Sequence, residues 1–199
     1  RGEDKEEMQN DISGSSNNLS GTQSTYANEN FYEYDDYNTF VNEMYNTAEK
    51  EGVEVAGYIL EDDAGNRSYV ILDWSANTER KSNNPWFERD YGASFNDKRI
   101  VAQVHVHASK GYTAPRTDYD GSSYDDYCLA KQIKAPVISI GPSTVSVMYP
   151  TERTYTTDTQ YEVLGDESYW SRKQMKEKNP FFYDYTMDWL KEPTLPPLI

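Results

Sequence analysis

The sequence contains little cysteine, histidine or positive charge, and it lacks long apolar runs. Its single cysteine, Cys128, excludes an internal disulfide bond. No apolar run approaches the ~20 residues that a membrane-spanning helix needs, so we expect no transmembrane segment in this chain. Lysine and arginine number 19 against 34 aspartates and glutamates, which gives a net charge of −15. Because this charge repels nucleic-acid phosphates and anionic lipid headgroups, neither is an expected partner.

The first 30 residues offer almost nothing to bury. They are rich in Asn, Ser, Gly and Glu, including the run Ser13–Asn18, and this composition predicts a disordered linker or tail over residues 1–30. The sequence starts with Arg1 instead of Met, as expected after removal of a signal peptide, although an engineered truncation would start in the same way. We therefore expect an exported protein (periplasmic, cell-surface lipoprotein or secreted), with a cytoplasmic location as the alternative.

The next part of the chain predicts a helix followed by a β-hairpin. Apolar residues recur at three- and four-residue spacing through Asp36–Glu51, which is typical of an amphipathic helix, and Gly52 is placed to end it. Residues 53–60 and 68–74 are strand-like, and the turn signal Asp63–Asn66 lies between them. Together these features indicate a helix packed beside two antiparallel strands.

The following residues predict further alternation of strands and helices. Residues 75–98 carry few apolar positions and are expected to form a long loop that overhangs a cleft. We predict strands over residues 100–107, 136–140 and 144–149, and a helix over Tyr124–Lys134 with Ser122 or Ser123 as its N-cap. This order indicates an α+β fold, an α/β/α-like sandwich built on one central sheet, over residues 31–150.

The C-terminal segment, residues 151–199, is rich in aromatic residues. Ser168–Lys178 is predicted to be helical, and Phe181–Leu190 to be a second, aromatic helix or turn. We expect this extension to pack on the preceding domain. The alternative is a surface that binds a partner, since Tyr and Trp are common binding anchors.

The two histidines of the sequence, His105 and His107, stand one residue apart in a run of β-branched residues. In a strand, residues i and i+2 project from the same face, so both imidazoles are expected to point one way and Val104 and Val106 the other. An acidic loop follows. Two imidazoles beside carboxylates suit Zn²⁺, although an HxH pair alone is a weak signal.

Four features occur in a fixed order: Glu54 in EVAGYIL, the pair His105-x-His107, a predicted loop, and then Ser123-x-x-Asp126 at the start of a predicted helix. This order resembles the JAB/MPN/JAMM metallopeptidase family over about residues 36–150. The resemblance implies a JAMM/cytidine-deaminase-like central mixed sheet flanked by helices. It also implies Zn²⁺ bound by the two histidines and Asp126, with Glu54 as general base and Ser123 as a donor to the developing oxyanion.

One spacing departs from the family. The family usually places seven residues between the second histidine and the serine, whereas here residues 108–122 intervene, which is fifteen. The usual spacing would place the aspartate at Asp118. Asp126 is preferred as third ligand because it keeps Ser123 at the family's interval, with Asp118, Asp120 and Asp125 as alternatives. Ser123 could instead serve only as the helix N-cap, and Cys128 is interpreted as a small buried residue of the helix.

The resulting hypothesis is a zinc-dependent metallopeptidase or isopeptidase that hydrolyses an amide bond. Its expected substrate is a peptide, a ubiquitin-like protein or a cell-wall peptide. One alternative is a non-catalytic JAMM-like binding or scaffold module, in which the stretched loop has broken the site. A further alternative is a metal-free adhesion domain with a tyrosine-rich surface.

Overall fold

The computed structural model describes residues 19–107, 124–141, 144–148, 150 and 183–186. These residues form one mixed sheet of ten strands and two helices, in agreement with the predicted α+β class. In chain order the elements are β1 (Thr22–Tyr26), β2 (Glu29–Tyr34), α1 (Tyr37–Glu51), β3 (Val55–Glu61), β4 (Arg67–Leu72), β5 (Phe87–Arg89), β6 (Gly92–Phe95), β7 (Lys98–Val106), α2 (Tyr124–Ile133), β8 (Val137–Ile140), β9 (Thr144–Met148) and β10 (Tyr183–Thr186).

The sheet runs in the order β1-β2-β4-β3-β7-β8-β9-β10, and the short hairpin β5–β6 joins it through β7. Among the described strands, β7 and β8 form the one parallel pair. Parallel neighbours need a crossover connection, and helix α2 lies on the stretch of chain between them. The end of β7 and the start of α2 therefore belong to one β-α-β unit in the middle of the sheet.

Helix α1 covers one face of the sheet. It begins after Asp36, whose carboxylate accepts a hydrogen bond from the Thr39 backbone N–H at 2.9 Å. It ends at Gly52, which has a φ of 70° and donates to the Ala48 carbonyl at 2.8 Å. Its buried side chains, among them Phe40 and Met44, join the core cluster of β3, β4 and β7. The predicted helix and its stop are confirmed.

Helix α2 lies against the opposite face. Its buried residues Tyr127, Ala130 and Ile133 belong to a second core cluster, which includes Ala56, Tyr58, Leu60 and Val137. Side chains alternate along β7 as predicted, so Val104 and Val106 lie in the cluster of α1. Gln103, His105 and His107 consequently face the side of α2.

Gly57 permits the close approach of α1 and β4 to β3. A Cβ atom at this position would lie 2.2 Å from the Val70 carbonyl oxygen and 2.7 Å from the Met44 Cε. Contacts this short do not occur between real atoms, so only a residue without a side chain fits here. The glycine thus sets the distance between the helix layer and the sheet.

Three sequence predictions are wrong where the structure describes the chain. The tail predicted to be disordered over residues 1–30 contains β1 and the start of β2. The long loop predicted over residues 75–98 contains the hairpin β5–β6 and the first residue of β7. Within the helix or turn predicted over Phe181–Leu190, residues 183–186 form a strand paired with β9.

These errors share a cause. The strands involved are short or polar, and pairing with neighbouring strands, which the local pattern does not show, decides their conformation. The predicted helix Ser168–Lys178 and residues 1–18 lie outside the described part of the chain. No helix within the described ranges has the length and apolar character needed to cross a bilayer.

Candidate metal centre

The two histidines come together at the C-terminal end of β7. Their ring centroids are 4.9 Å apart, and the two Nε2 atoms are separated by 3.0 Å. Each residue is 3% exposed. Both rings lie on one face of β7, as the alternation of side chains predicted, and the flanking strands β3 and β8 place the pair in the interior of the sheet.

Asp126 in the first turn of α2 completes the cluster. It is buried, and its Oδ1 lies 3.3 Å from the His105 Nε2. One ligand atom from each of His105, His107 and Asp126 can be chosen so that all three lie within 4.8 Å of one another, and this group could hold a metal ion. Zinc bonds of about 2.0–2.1 Å in tetrahedral geometry require ligand atoms about 3.3–3.4 Å apart. The separation between the two histidine Nε2 atoms, 3.0 Å, and that between His105 Nε2 and Asp126 Oδ1, 3.3 Å, are close to that spacing.

The alternative third ligands are placed differently. Asp125 is exposed and lines the adjacent cavity, but it does not belong to the group that could hold an ion. Asp118 and Asp120 lie outside the described residues, as does Ser123, so the predicted oxyanion and N-cap roles of Ser123 stay predictions. Of the described aspartates, Asp126 is the one that meets the histidines.

Glu54 directly precedes β3 and faces the same cavity. Ala56 pairs with His105 across β3 and β7, and Glu54 lies two residues earlier, on the same face. It is 6% exposed. Burial raises its pKa to about 7 and the charge of Asp126 adds to the rise, whereas His105 and a hydrogen bond from Ser82 oppose it. A carboxylate with a pKa near neutrality is suited to accept and return a proton.

The charge of His105 is coupled to its acidic neighbours. Burial by itself would lower the pKa of this imidazole, but the charge and hydrogen bond of Asp126, together with the charge of Glu54, raise the pKa to about 9. Without a metal ion, a proton on His105 therefore balances the buried carboxylates. A bound cation would take over that role.

Ser139 on β8 is a member of the site that the sequence reading missed. It pairs with His105 in the parallel register, and its side chain is fully buried. Its hydroxyl donates to Asp126 Oδ2 at 3.1 Å and lies 3.2 Å from the His105 Nε2. The available signal was a lone polar residue in the apolar strand VISI, but only the pairing of β7 with β8 shows where it points.

Gln103 is a second missed residue. It lies two positions before His105, so it faces the same side of the sheet, and it is 1% exposed. Its Oε1 is 2.9 Å from the His105 Nδ1, and its Nε2 donates to Asn84 Oδ1 at 2.7 Å. A buried amide two residues before the histidine pair was visible in the sequence, but its partner on a distant loop was not.

A cavity of about 390 Å³ opens beside the cluster. Glu54, both histidines and Asp126 line it, and the loop between β4 and β5 contributes Arg80, Lys81 and Ser82. A backbone hydrogen bond connects this loop to the site: the Glu54 N–H donates to the Thr78 carbonyl at 2.8 Å. The prediction that this loop lies over a cleft is confirmed for its first part.

Comparison with known proteins gives no relative from which a function could be transferred. No protein-family model matches the chain, and no curated protein or solved structure matches it either.

Proposed function

We propose that this protein is a zinc-dependent hydrolase of the JAMM type that cleaves an amide bond, as a metallopeptidase or isopeptidase. One observation carries the proposal: a buried His-His-Asp group that could hold an ion shares its cavity with a separate buried glutamate, Glu54. A purely structural metal site would be expected to have four protein ligands and no open position.

Zinc is the ion that we assign to the cluster. Two imidazole nitrogens and one carboxylate oxygen form a donor set that Zn²⁺ accepts, whereas calcium and magnesium prefer oxygen ligands alone. The two separations that involve His105 Nε2, 3.0 and 3.3 Å, support this choice. Within the described part of the chain the group has three protein ligands, which would leave a fourth position open, as in catalytic zinc sites.

When bound, zinc would supply Lewis acidity, which makes water a stronger acid and polarises the carbonyl of the substrate. Glu54 then accepts a proton from the attacking water and transfers it to the nitrogen of the leaving amine. Positive charge at the cluster lowers the pKa of Glu54 and keeps it ionised for the first of these steps. Ser123, in the family role, would donate a hydrogen bond to the oxyanion formed from the carbonyl.

The substrates proposed for this site are those in which an extended amide can enter an open cleft: a peptide, a cell-wall peptide, or the isopeptide bond of a ubiquitin-like protein. The cavity beside the cluster is polar and open to solvent, so it offers access to a polypeptide. We further propose a JAMM-like fold for the domain and an exported location for the protein.

The test compares metal content with hydrolysis. Protein purified without a metal-affinity column is expected to contain about one zinc per chain by elemental analysis. Replacing Glu54 by Gln is expected to leave the zinc in place and lower kcat/KM on a panel of peptide and isopeptide substrates by about 10²–10⁴-fold, the usual contribution of a general base.

The matched control is Glu51→Gln, the same substitution at an exposed residue ending α1, which is expected to change neither quantity. Bound zinc with no hydrolysis by the unmodified protein would favour the binding or scaffold module. Zinc far below one equivalent, in protein never exposed to chelators, would contradict the proposal.

A further inference from the structure

A chain of hydrogen bonds connects the loop between β4 and β5 to the ring of His105. We infer that Gln103 and Asn84 are positioning residues, which fix the tautomer of His105 so that its Nε2 is the atom available to a metal ion. The inference rests on the proposed function, because it concerns the same cluster. Its basis is a series of distances in which each donor and acceptor can be assigned in turn.

The assignment starts at a backbone carbonyl. One end of the Asn84 side-chain amide lies 3.1 Å from the Ser82 carbonyl oxygen and 3.1 Å from the Ser82 Oγ. A carbonyl oxygen can only accept, so this end of the amide must be the NH₂ group. The Oδ1 of Asn84 is therefore turned away from Ser82 and toward Gln103.

The orientation of Gln103 follows from that of Asn84. Because Asn84 Oδ1 can only accept, Gln103 must present its NH₂ group to it, at 2.7 Å. The opposite end of the Gln103 amide, Oε1, then faces His105. Reversing this amide would bring two acceptors together, Gln103 Oε1 and Asn84 Oδ1, and the hydrogen bond between the two side chains would be lost.

The tautomer of His105 is the last consequence. Gln103 Oε1 lies 2.9 Å from the His105 Nδ1 and can only accept, so Nδ1 carries the proton. In the neutral ring the lone pair is then on Nε2, which lies 3.0 Å from the His107 Nε2 and 3.3 Å from Asp126 Oδ1. The neutral ring thus presents its ligand atom, Nε2, to the cluster.

The same loop also reaches the proposed general base. The side chain of Ser82 forms a hydrogen bond with Glu54. Because Ser82 Oγ accepts from Asn84, its own hydrogen is available for the carboxylate. The short segment from Ser82 to Asn84 therefore supports a metal ligand and the base together.

The first test measures zinc affinity by competition with a chromophoric chelator. Gln103→Leu, which removes the acceptor for Nδ1, is expected to weaken zinc binding by about 10–100-fold. Gln103→Glu keeps the acceptor for Nδ1 but loses the donor to Asn84 Oδ1, so it is expected to bind zinc more tightly than Gln103→Leu. Ser94→Ala is the matched control, because it removes a fully buried hydroxyl that donates to the Phe87 carbonyl, in contact with neither histidine.

The second test reads the tautomer directly by NMR of protein labelled with ¹⁵N-histidine. We expect a protonated Nδ1 on His105 in zinc-loaded protein, and also in metal-free protein at a pH high enough to neutralise the ring. Gln103→Leu should lose this preference. A substitution that merely loosened the fold would lower stability without exchanging one tautomer for the other.

The outcomes separate the inference from the proposed function. If the unmodified protein binds no zinc, the proposed function fails, and the metal-free NMR measurement still decides the tautomer. If Gln103→Leu does not fold, Asn84→Leu on the loop replaces it, with both His105 tautomers expected. Zinc bound through His105 Nδ1, or unchanged tautomer and affinity in these variants, would overturn the inference.

Discussion

Each polar side chain buried around the histidine pair depends on another member of the group. Asp126 accepts from Ser139 and faces His105, while His105 contacts Gln103 through its other nitrogen. Burying a charged or polar group costs free energy unless a partner compensates for it. The loss of one member therefore affects more than its own contact, since it leaves a neighbour buried without its partner.

The identity of the third ligand can be tested with neighbouring residues. Asp126→Asn removes the charge of the buried carboxylate beside His105 and is expected to weaken zinc binding by more than about 100-fold, beyond the usual effect of a supporting residue. Asp125→Asn makes the same chemical change one position earlier, where the side chain is exposed, and is expected to alter affinity little. Isothermal titration of zinc into each metal-free variant checks both.

The opposite ranking of the two variants in zinc affinity would contradict the assignment of Asp126 as the third ligand. A large loss with Asp125→Asn and a small one with Asp126→Asn would make Asp125 the ligand. If neither change mattered, one of the aspartates in the preceding acidic part of the sequence, Asp118 or Asp120, would become the candidate.

The sequence identified those site residues that follow one another in a recognisable pattern. His105 and His107 could be placed on one face because side chains alternate along a strand, whereas Asp126 was preferred because the family resemblance puts the aspartate three residues after Ser123, at a predicted helix start. Ser139 and Asn84 could not be predicted, since their positions depend on pairing between β7 and β8 and on the path of a loop. Hydrogen bonds between residues far apart in the chain leave no local periodic signal.

At the scale of secondary structure, the position of α1 depends on the absence of a side chain at Gly57. We expect Gly57→Ala to reduce the free energy of unfolding by about 1–3 kcal/mol or more, because the new Cβ would meet backbone as well as the side chains of α1. Urea unfolding of the metal-free protein measures this change.

Gly65→Ala serves as the comparison for the same substitution. Gly65 has a φ of +85°, and a Cβ atom built there would have nothing within 4 Å. Gly65→Ala should therefore reduce the free energy of unfolding by only roughly 1–2 kcal/mol, through left-handed backbone strain. A Gly57→Ala protein as stable as the parent would show that the layers can move apart without cost.

The start of α1 should respond to pH. Hydrogen bonds from the hydroxyl and then the backbone N–H of Thr39 hold the pKa of Asp36 below its usual 3.8. Since the folded-state pKa is lowered, the ionised cap stabilises the fold at pH values above 3.8, and this contribution is lost as the pH falls through the folded-state pKa.

The measurement compares unfolding of the parent with that of Asp36→Asn, which keeps a capping oxygen but cannot ionise. The parent should be the more stable protein at neutral pH, and the difference should shrink in acid. A difference that stays constant from neutral pH to well below 3.8 would contradict the role assigned to the charge.

The helices and strands that could be predicted from the sequence were those with enough apolar residues to show a helical or alternating pattern. The helix α1, the hairpin β3–β4 and the strand β7 carry such patterns, and their predicted limits agree with the structure to within a few residues. Strand β1 is TQSTY, with its first four residues exposed. An edge strand that buries so little is stabilised by backbone pairing with β2, which a hydrophobic pattern cannot show.

At the scale of the whole molecule, metal binding should increase the free energy of unfolding and the Tm of the protein. A ligand that binds the folded chain alone stabilises it by about 2.7 kcal/mol at a free concentration 100 times Kd. For a chain of this size, removal of zinc by a chelator is therefore expected to lower Tm by roughly 5–10 °C. Differential scanning calorimetry with and without zinc measures the shift.

The control for this shift is the double variant His105→Ala, His107→Ala, whose Tm should not depend on zinc. Equal zinc-dependent shifts in the parent and the double variant would place the ion elsewhere on this acidic chain.

The position of the cluster within the sheet protects it from local unfolding. Glu54, the histidines and Ser139 lie on or beside β3, β7 and β8, which are fourth, fifth and sixth along the eight-strand path. Three strands shield them on one side and two on the other. Local thermal unfolding of a sheet starts at its edge strands, because each edge strand pairs with a single neighbour. The outer strands can thus separate and re-form while the side chains of the cluster keep their arrangement.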